Sequence, residues 1–280
     1  MSCPSYQNTK PAKEVRPFLR WAGGKSWLKN YMLELTKSVT INNYHEPFLG
    51  GGSVFFTLNP TKAFLSDLNS DLISTYNAVQ ENVELVLKYL KNFENTEQYY
   101  YKIRSSSFLS KYKKAAQFIY LNQTSFNGIY RVNLKNEYNV PFGYRNKIFY
   151  EPKNLRLVSQ KLANCTLNNC DFDEAISLVK KNDLVFLDPP YTVSHNQNGF
   201  IKYNHKLFSL QDQYRLAKEI ENIKKRGAYF ILTNAAHTKI DDIFGKYHNK
   251  IELRRASLIG GKNAKRETVS EYLFTNLNPL

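Results

Sequence analysis

Apolar positions along this chain alternate between two spacings. Helical spacing appears at Leu28, Met32 and Leu35, and again over Leu72, Ile73, Tyr76, Val79, Val83, Leu87 and Leu90. It returns over residues 115–121, at Ala175, Ile176 and Val179, and from Asp212 to Lys225. Short apolar runs lie between these stretches. They are Ala63-Phe64-Leu65, Leu184-Val185-Phe186-Leu187, Tyr229-Phe230-Ile231-Leu232 and, near the end, Ile251-Glu252-Leu253 and Tyr272-Leu273-Phe274. Runs of four or so apolar residues bounded by turn formers predict strands buried on both faces, and their alternation with helices predicts an α/β layer structure with a largely parallel sheet. No internal repeat or low-complexity block interrupts the pattern.

Several predicted strands end in chemistry. The run 184–187 stops at Asp188-Pro189-Pro190-Tyr191, where two prolines without N–H groups terminate the ladder. Open α/β sheets bind ligands at this carboxyl edge, although a capped turn alone would also use Asp-Pro. His45-Glu46-Pro47-Phe48-Leu49 precedes Gly50-Gly51-Gly52-Ser53. Glycines without Cβ let a ligand approach the backbone, and a helix starting near Ser53 would aim free N–H groups at it. The strand after that ends at Asp67, a carboxylate suited to a ribose diol or to a helix cap. Leu167-Asn168-Asn169-Cys170-Asp171-Phe172 reads as a further strand ending in an acid. Gly24-Lys25-Ser26 imitates a phosphate-binding loop, but Leu19 stands where that motif needs glycine, so a nucleotide triphosphatase is not indicated.

The middle of the chain differs in character. Phe126-Asn127-Gly128-Ile129-Tyr130-Arg131-Val132-Asn133 and Tyr138-Asn139-Val140-Pro141-Phe142-Gly143 alternate aromatic and polar residues around Asn-Gly and Lys135-Asn136. This predicts a hairpin that interleaves Arg131, Arg145 and Lys147 with aromatics, the composition of a base-reading element or of a plain surface hairpin. Residues 193–209 are polar and aperiodic, as in a mobile active-site loop. Arg254, Arg255, Gly260, Gly261, Lys262, Lys265 and Arg266 form a basic glycine loop suited to phosphate contact.

Charge sharpens this picture. Thirty-nine Lys and Arg against 24 Asp and Glu give a net charge of +15, which favours a polyanionic partner such as nucleic acid. Three cysteines without C-x-x-C pairing predict reduced thiols in a cytoplasm and no metal site; His195 and His205 also lack ligand spacing. No run of about 18 apolar residues predicts a membrane span. Residues 1–16 are polar and proline-dotted, which predicts a flexible tail.

Taken in order, Trp21-Ala22-Gly23-Gly24-Lys25, Glu46-Pro47-Phe48-Leu49-Gly50-Gly51-Gly52-Ser53, Phe126 to Asn133, Asn139 to Gly143 and Asp188-Pro189-Pro190-Tyr191 resemble the DNA adenine-N6 methyltransferases of the Dam type. The resemblance runs from Pro17 nearly to the end of the chain. It implies a Rossmann-like S-adenosylmethionine-dependent methyltransferase sheet with helices on both faces, plus an inserted helical and β-hairpin DNA-recognition domain. The implied boundaries are 17–72 and 160–280 for the catalytic domain and 73–159 for the insertion. By the same resemblance Trp21, Ala22, Gly23, Lys25, Pro47, Phe48, Gly50 and Ser53 border S-adenosyl-L-methionine. Asp67 takes its ribose, Asp171 and Phe172 its adenine, and Asp188 lies alongside. Asp188, Pro189 and Tyr191 would be catalytic on a flipped adenine of double-stranded DNA, within GATC. Phe126, Asn127, Ile129, Arg131, Asn133, Pro141, Arg145, Arg254 and Lys262 would contact DNA, with Arg131 reading guanine. Tyr144 stands where some relatives carry a basic residue. The expected setting is the cytoplasm and nucleoid of a bacterium or phage host. The enzyme would act as a monomer on DNA, with a dimer and a cognate restriction endonuclease both left open. The alternatives are an RNA adenine or protein amide methyltransferase, or a DNA-binding protein without catalysis.

Overall fold

The computed structural model describes residues 15–133, 135, 137–145, 149–192, 208–245, 249–256 and 268–278. The tail up to residue 14, the loop 193–207 with both its histidines, Lys147, and residues 257–267 with Lys262 lie outside the described residues.

Seven strands form one sheet in the order β3-β2-β1-β4-β5-β7-β6. They are β1 (Tyr44–Glu46), β2 (Ala63–Ser66), β3 (Cys165–Asn168), β4 (Leu184–Leu187), β5 (Tyr229–Ala235), β6 (Asn249–Ala256) and β7 (Thr268–Thr275). The first five pair in parallel, while β7 runs antiparallel between β5 and β6. Leu184 to Leu187 are all buried, as both-face coverage by helices requires. The strand order reverses between β1 and β4, so a crevice opens at their carboxyl ends. This is a mixed α/β, broadly Rossmann-like architecture, a central sheet flanked by helices.

The helices are α1 (Lys29–Thr36), α2 (Ser53–Leu58), α3 (Ser70–Leu90), α4 (Glu97–Arg104), α5 (Lys111–Thr124), α6 (Pro152–Leu162), α7 (Phe172–Ser177), α8 (Leu210–Lys225) and α9 (Thr238–Phe244). Asn69 caps α3 through its side chain, and Ser209 with Asp212 closes a capping box on α8. α3 packs along α5 and α6 and carries buried Leu72, Ile73, Tyr76, Val79, Val86 and Leu90. The implied boundary at 72/73 falls inside α3 and the one at 159/160 inside α6, and a single apolar cluster spans both.

One local expectation is corrected. β3 ends at Asn168, and Phe172 opens a helix because the Asp171 side chain accepts from Asp173 N–H and caps α7. Of the two turn signals in the expected hairpin, Asn127-Gly128 is a left-handed pair inside a short 3-10 turn (Phe126–Gly128), and the tip lies at the other, around Lys135. The hairpin turns later: Asn133 N–H donates to Glu137, Asn139 N–H donates to Arg131, and Val132 bridges Tyr138. α4 escaped notice because its Tyr-rich face lacks aliphatic periodicity.

Candidate active site

The parallel strands deliver their C-terminal acids to one edge. Glu46 ends β1, Asp67 follows β2 and Asp188 follows β4. Lys25, only 3% exposed, reaches in from the turn before α1. Its Nζ lies 2.8 Å from Asp188 Oδ1 and 3.7 Å from Glu271 Oε2 and donates to Gly23 O at 2.9 Å. Thr233 Oγ1 also donates to Asp188 Oδ1, at 2.8 Å. Both donors fall on the same oxygen, Oδ1. The Lys25 ammonium stands 5.2 Å from the Tyr191 ring centroid, a cation–π contact that ties the Asp-Pro-Pro-Tyr turn to the same lysine. Behind that turn, Gln213 Nε2 donates to Thr192 Oγ1 and Asn234 Nδ2 donates to Gln213 Oε1, all three residues fully buried.

Burial raises the Asp188 pKa, and the negative charge of Glu271 adds to that; Lys25 and Thr233 oppose it. Glu46 is pushed up to about 8, chiefly by burial and further by the charge of Asp188, against the hydrogen bond from Tyr44 Oη at 2.8 Å. A buried carboxyl beside other acids therefore keeps its proton at neutral pH.

The glycine turn forms a cradle beside these acids. Gly50 has φ +47°, and a Cβ there would sit 2.6 Å from the Trp21 ring. Gly50 N–H donates to Asp67 Oδ2 at 3.0 Å, and Asn69 N–H donates to Oδ1 at 2.9 Å. Burial raises the Asp67 pKa, opposed by these two N–H groups. Ser53 Oγ accepts from Lys25 N–H at 2.9 Å, joining the two glycine-containing turns. Trp21, Lys25, Pro47, Phe48, Gly50, Ser53 and Asp67 thus belong to one edge. Exposed Ala22 and Gly23 continue the turn that carries Lys25. Phe172 is buried and packs on Phe48 and Phe208. Arg215 lies 4.7 Å over the Phe172 ring, and its guanidinium donates to Asp171, Asp173 and Asp212. Asp171 is therefore a helix cap and an ion-pair partner in this structure.

On the recognition side Phe126 is 53% exposed, and Asn127, Arg131 and Pro141 are exposed too. Ile129 and Arg145 are half-buried. Arg131 Nε donates to Asn139 Oδ1 at 2.8 Å and Nη2 to Asn139 O at 3.3 Å, so the guanidinium is held by one residue of the facing strand segment. The Asn133 carboxamide is engaged inside the turn by Lys135 and Glu137. Arg254 is exposed on β6, and its Nε lies 3.9 Å from Glu252. Trp21 stacks on Tyr130 with ring centroids 5.6 Å apart, which joins the glycine cradle to the hairpin. Sequence reasoning gave no role to Glu271, Thr233 or Arg215, which lie in no local motif, nor to Asn139, although it opens the Asn139 to Gly143 motif.

The family model for D12 class N6 adenine-specific DNA methyltransferases matches residues 21–256. The chain belongs to that family. The methyltransferase is 34% identical over 274 residues to the type II methyltransferase M1.LlaDCHI of Lactococcus lactis subsp. cremoris, covering 94% of this chain and 95% of that one. It is 35% identical over 291 residues to the type II methyltransferase M.MjaIII of Methanocaldococcus jannaschii, with 94% and 99% covered. It is 32% identical over 281 residues to a DNA adenine methylase of Haemophilus influenzae, with 96% of each covered. The enzyme transfers a methyl group from S-adenosylmethionine to adenine N6 of DNA. The edge fits that cofactor. The cradle at Gly50 admits no Cβ beside Trp21, and the carboxylate of Asp67 stands at the end of β2 where a diol can meet it. Among the described residues no cluster of His, Cys, Asp and Glu could hold a metal, and no helix is long and apolar enough to cross a membrane.

Proposed function

We propose that the methyltransferase modifies the adenine of GATC in double-stranded DNA, with Asp188, Pro189 and Tyr191 as the groups that meet the flipped base. The observation that carries this reading is the Asp188 carboxylate held on one oxygen by Lys25 and Thr233 beside the glycine cradle. Adenine N6 is a weak nucleophile because its lone pair is delocalised into the ring. Asp188 Oδ2 and the Pro189 carbonyl accept its two hydrogens, which localises the pair and stabilises the positive charge that builds on nitrogen. Tyr191 stacks on the base after it leaves the duplex. The cofactor, when bound, supplies an activated methyl group on a sulfonium. With the cofactor bound, N6 would give its electron pair to the methyl carbon and the leaving sulfur would keep the carbon–sulfur bonding pair, while Asp188 and Pro189 would hold N6 for that displacement. N6 then releases one proton toward Asp188 or solvent. Alignment of nitrogen, carbon and sulfur is the remaining contribution of the fold.

Trp21, Ala22, Gly23, Pro47, Phe48, Gly50 and Ser53 would line the methionine part of the cofactor, Asp67 its ribose, and Asp171 with Phe172 its adenine. Residues 73–159 would carry recognition. Phe126 and Ile129 wedge the duplex, Pro141 packs on thymine, and Arg131 pairs with guanine O6 and N7. Arg145, Arg254 and Lys262 neutralise phosphates. A relative named DNA adenine methylase supports adenine in DNA as the target base. The protein would act as a monomer on bacterial or phage DNA. The test is transfer of labelled methyl groups to a GATC duplex and to a scrambled one, with Asp188→Ala as control. Label in the GATC duplex alone, lost by about 10²-fold or more in Asp188→Ala, is expected. Label in both duplexes would overturn the site assignment, and near-normal turnover in Asp188→Ala would overturn the catalytic one.

A further inference from the structure

We infer that Gln213, which no sequence motif marks, is a positioning residue for methyl transfer: from α8 it holds Thr192 and so fixes the place of Tyr191 against the flipped base. The inference rests on the reading that Asp188, Pro189 and Tyr191 meet that base. Gln213 occupies the core stripe of α8 with Leu216, Ile220 and Ile223, where the helical spacing calls for an apolar side chain. An amide buried there is costly unless its polar ends are paired. Both ends are paired. Gln213 Nε2 donates to Thr192 Oγ1 at 2.7 Å, and Gln213 Oε1 accepts from Asn234 Nδ2 at 3.1 Å, with all three residues 0% exposed. Asn234 is oriented in turn by Ala235 N–H, which donates to its Oδ1 at 2.8 Å.

Pro189 and Pro190 have no N–H to donate, so the chain leaving β4 lacks ladder bonds at those two positions. Side chains place it instead. Thr233 and Asn234 are consecutive on β5, so they project to opposite faces of the sheet. Thr233 bonds Asp188 at the start of the turn, and Asn234, through Gln213, bonds Thr192 directly after Tyr191. Two neighbours on one strand therefore anchor the Asp-Pro-Pro-Tyr turn at its two ends. Thr192 is one residue from the ring that stacks on the base, and a displacement of about 1 Å in a reacting geometry can cost about 10²-fold in rate. A leucine at Gln213 would suit the core stripe of α8 and would leave the Thr192 hydroxyl without this donor.

The experiment compares Gln213→Leu, Thr192→Val, their double variant, Thr192→Ser and Asp188→Ala with the parent enzyme on a GATC duplex. Single-turnover methyl transfer gives the rate. The fluorescence of 2-aminopurine in place of the target adenine reports whether the flipped base is stacked. Gln213→Leu and Thr192→Val each remove the bond and are expected to slow transfer by about ten-fold or more, while KM for cofactor and DNA stays within about two-fold. Their 2-aminopurine signal should exceed the parent's, because a base that is flipped but poorly stacked is quenched less. The double variant should be no slower than the slower single one, because both lose the same contact. Thr192→Ser keeps the hydroxyl and should stay within about two-fold of the parent. The two Thr192 variants decide the matter even where Gln213→Leu does not fold. Lower melting temperatures with parental rate and fluorescence in Gln213→Leu and Thr192→Val, or a Thr192→Ser as slow as Thr192→Val, would overturn the inference while Asp188→Ala remains inactive. An active Asp188→Ala would instead remove the reading on which it rests.

Discussion

Replacing Lys25 by methionine removes the one cation that holds Asp188. At 2.8 Å and an effective dielectric near 20, the Coulomb attraction between the pair is about 6 kcal/mol, against which each charge has lost its water. The lysine side chain is 2% exposed and the aspartate 19%, so solvent screening discounts little of this. Breaking a buried pair from one side leaves the other charge uncompensated and costs about 3–5 kcal/mol. For a chain of 280 residues that corresponds to a melting-point loss of about 5–9 °C at neutral pH. The sign with pH follows from the raised Asp188 pKa. A carboxyl whose folded value lies above its unfolded value stabilises most below the unfolded value and loses that contribution as pH rises through the folded one. Without Lys25 the Asp188 pKa rises further, so the deficit should shrink on acidification toward pH 5. The assay is urea unfolding of the parent, Lys25→Met, Asp188→Asn and the double variant at pH 5.5 and 7.5. The double variant should recover part of the loss, because Asp188→Asn removes one of the two carboxyl groups that lose Lys25, while Glu271 still loses it. A Lys25→Met variant within about 1 kcal/mol of the parent, or a double variant no better than the single, would refute the reasoning.

Glu46 gives a second pH signature. Its pKa of about 8 means that its contribution is complete below the ordinary carboxyl range and lost by about pH 8. Parent stability should therefore fall relative to Glu46→Gln by up to about 1.4 kcal/mol per pH unit between pH 5 and 8, and parallel stability curves for the two proteins would contradict it. At the DNA interface, Arg131→Ala should cost about 1–3 kcal/mol in kcat/KM on GATC and relax discrimination at one guanine. An equal loss on every duplex would make Arg131 a phosphate contact instead.

The pairing of the hairpin shows which of two local turn signals makes its tip. Asn127-Gly128 has the composition of a two-residue hairpin tip, and both residues do adopt positive φ. Yet Gly143 packs so closely on Ser125 that a Cβ would meet its carbonyl at 2.5 Å, and Ser125 bridges Phe142. That long-range contact fixes Asn-Gly at the end of α5 and leaves Asn133 to Glu137 to make the turn. The expectation for Asp171 went the same way: an acid after an apolar run was legible, but its capping of α7 and its pairing with Arg215 depend on where α8 packs.

The sequence by itself determined the run of buried strands, the acids at their ends and the glycine turn, since each is written in neighbouring residues: apolar runs form strands, prolines end them, and parallel connection brings their carboxyl ends to one edge. The tertiary structure alone decided that Lys25 would bind Asp188, that Thr233 would share the same oxygen, and that Asn139 would hold Arg131. It also turned Glu271 from an ordinary residue of a terminal strand into the second carboxyl group near a buried lysine. The physical reason is that strand order and the reversed direction of β7 place it there, and burial is what gives the contacts of that lysine their strength.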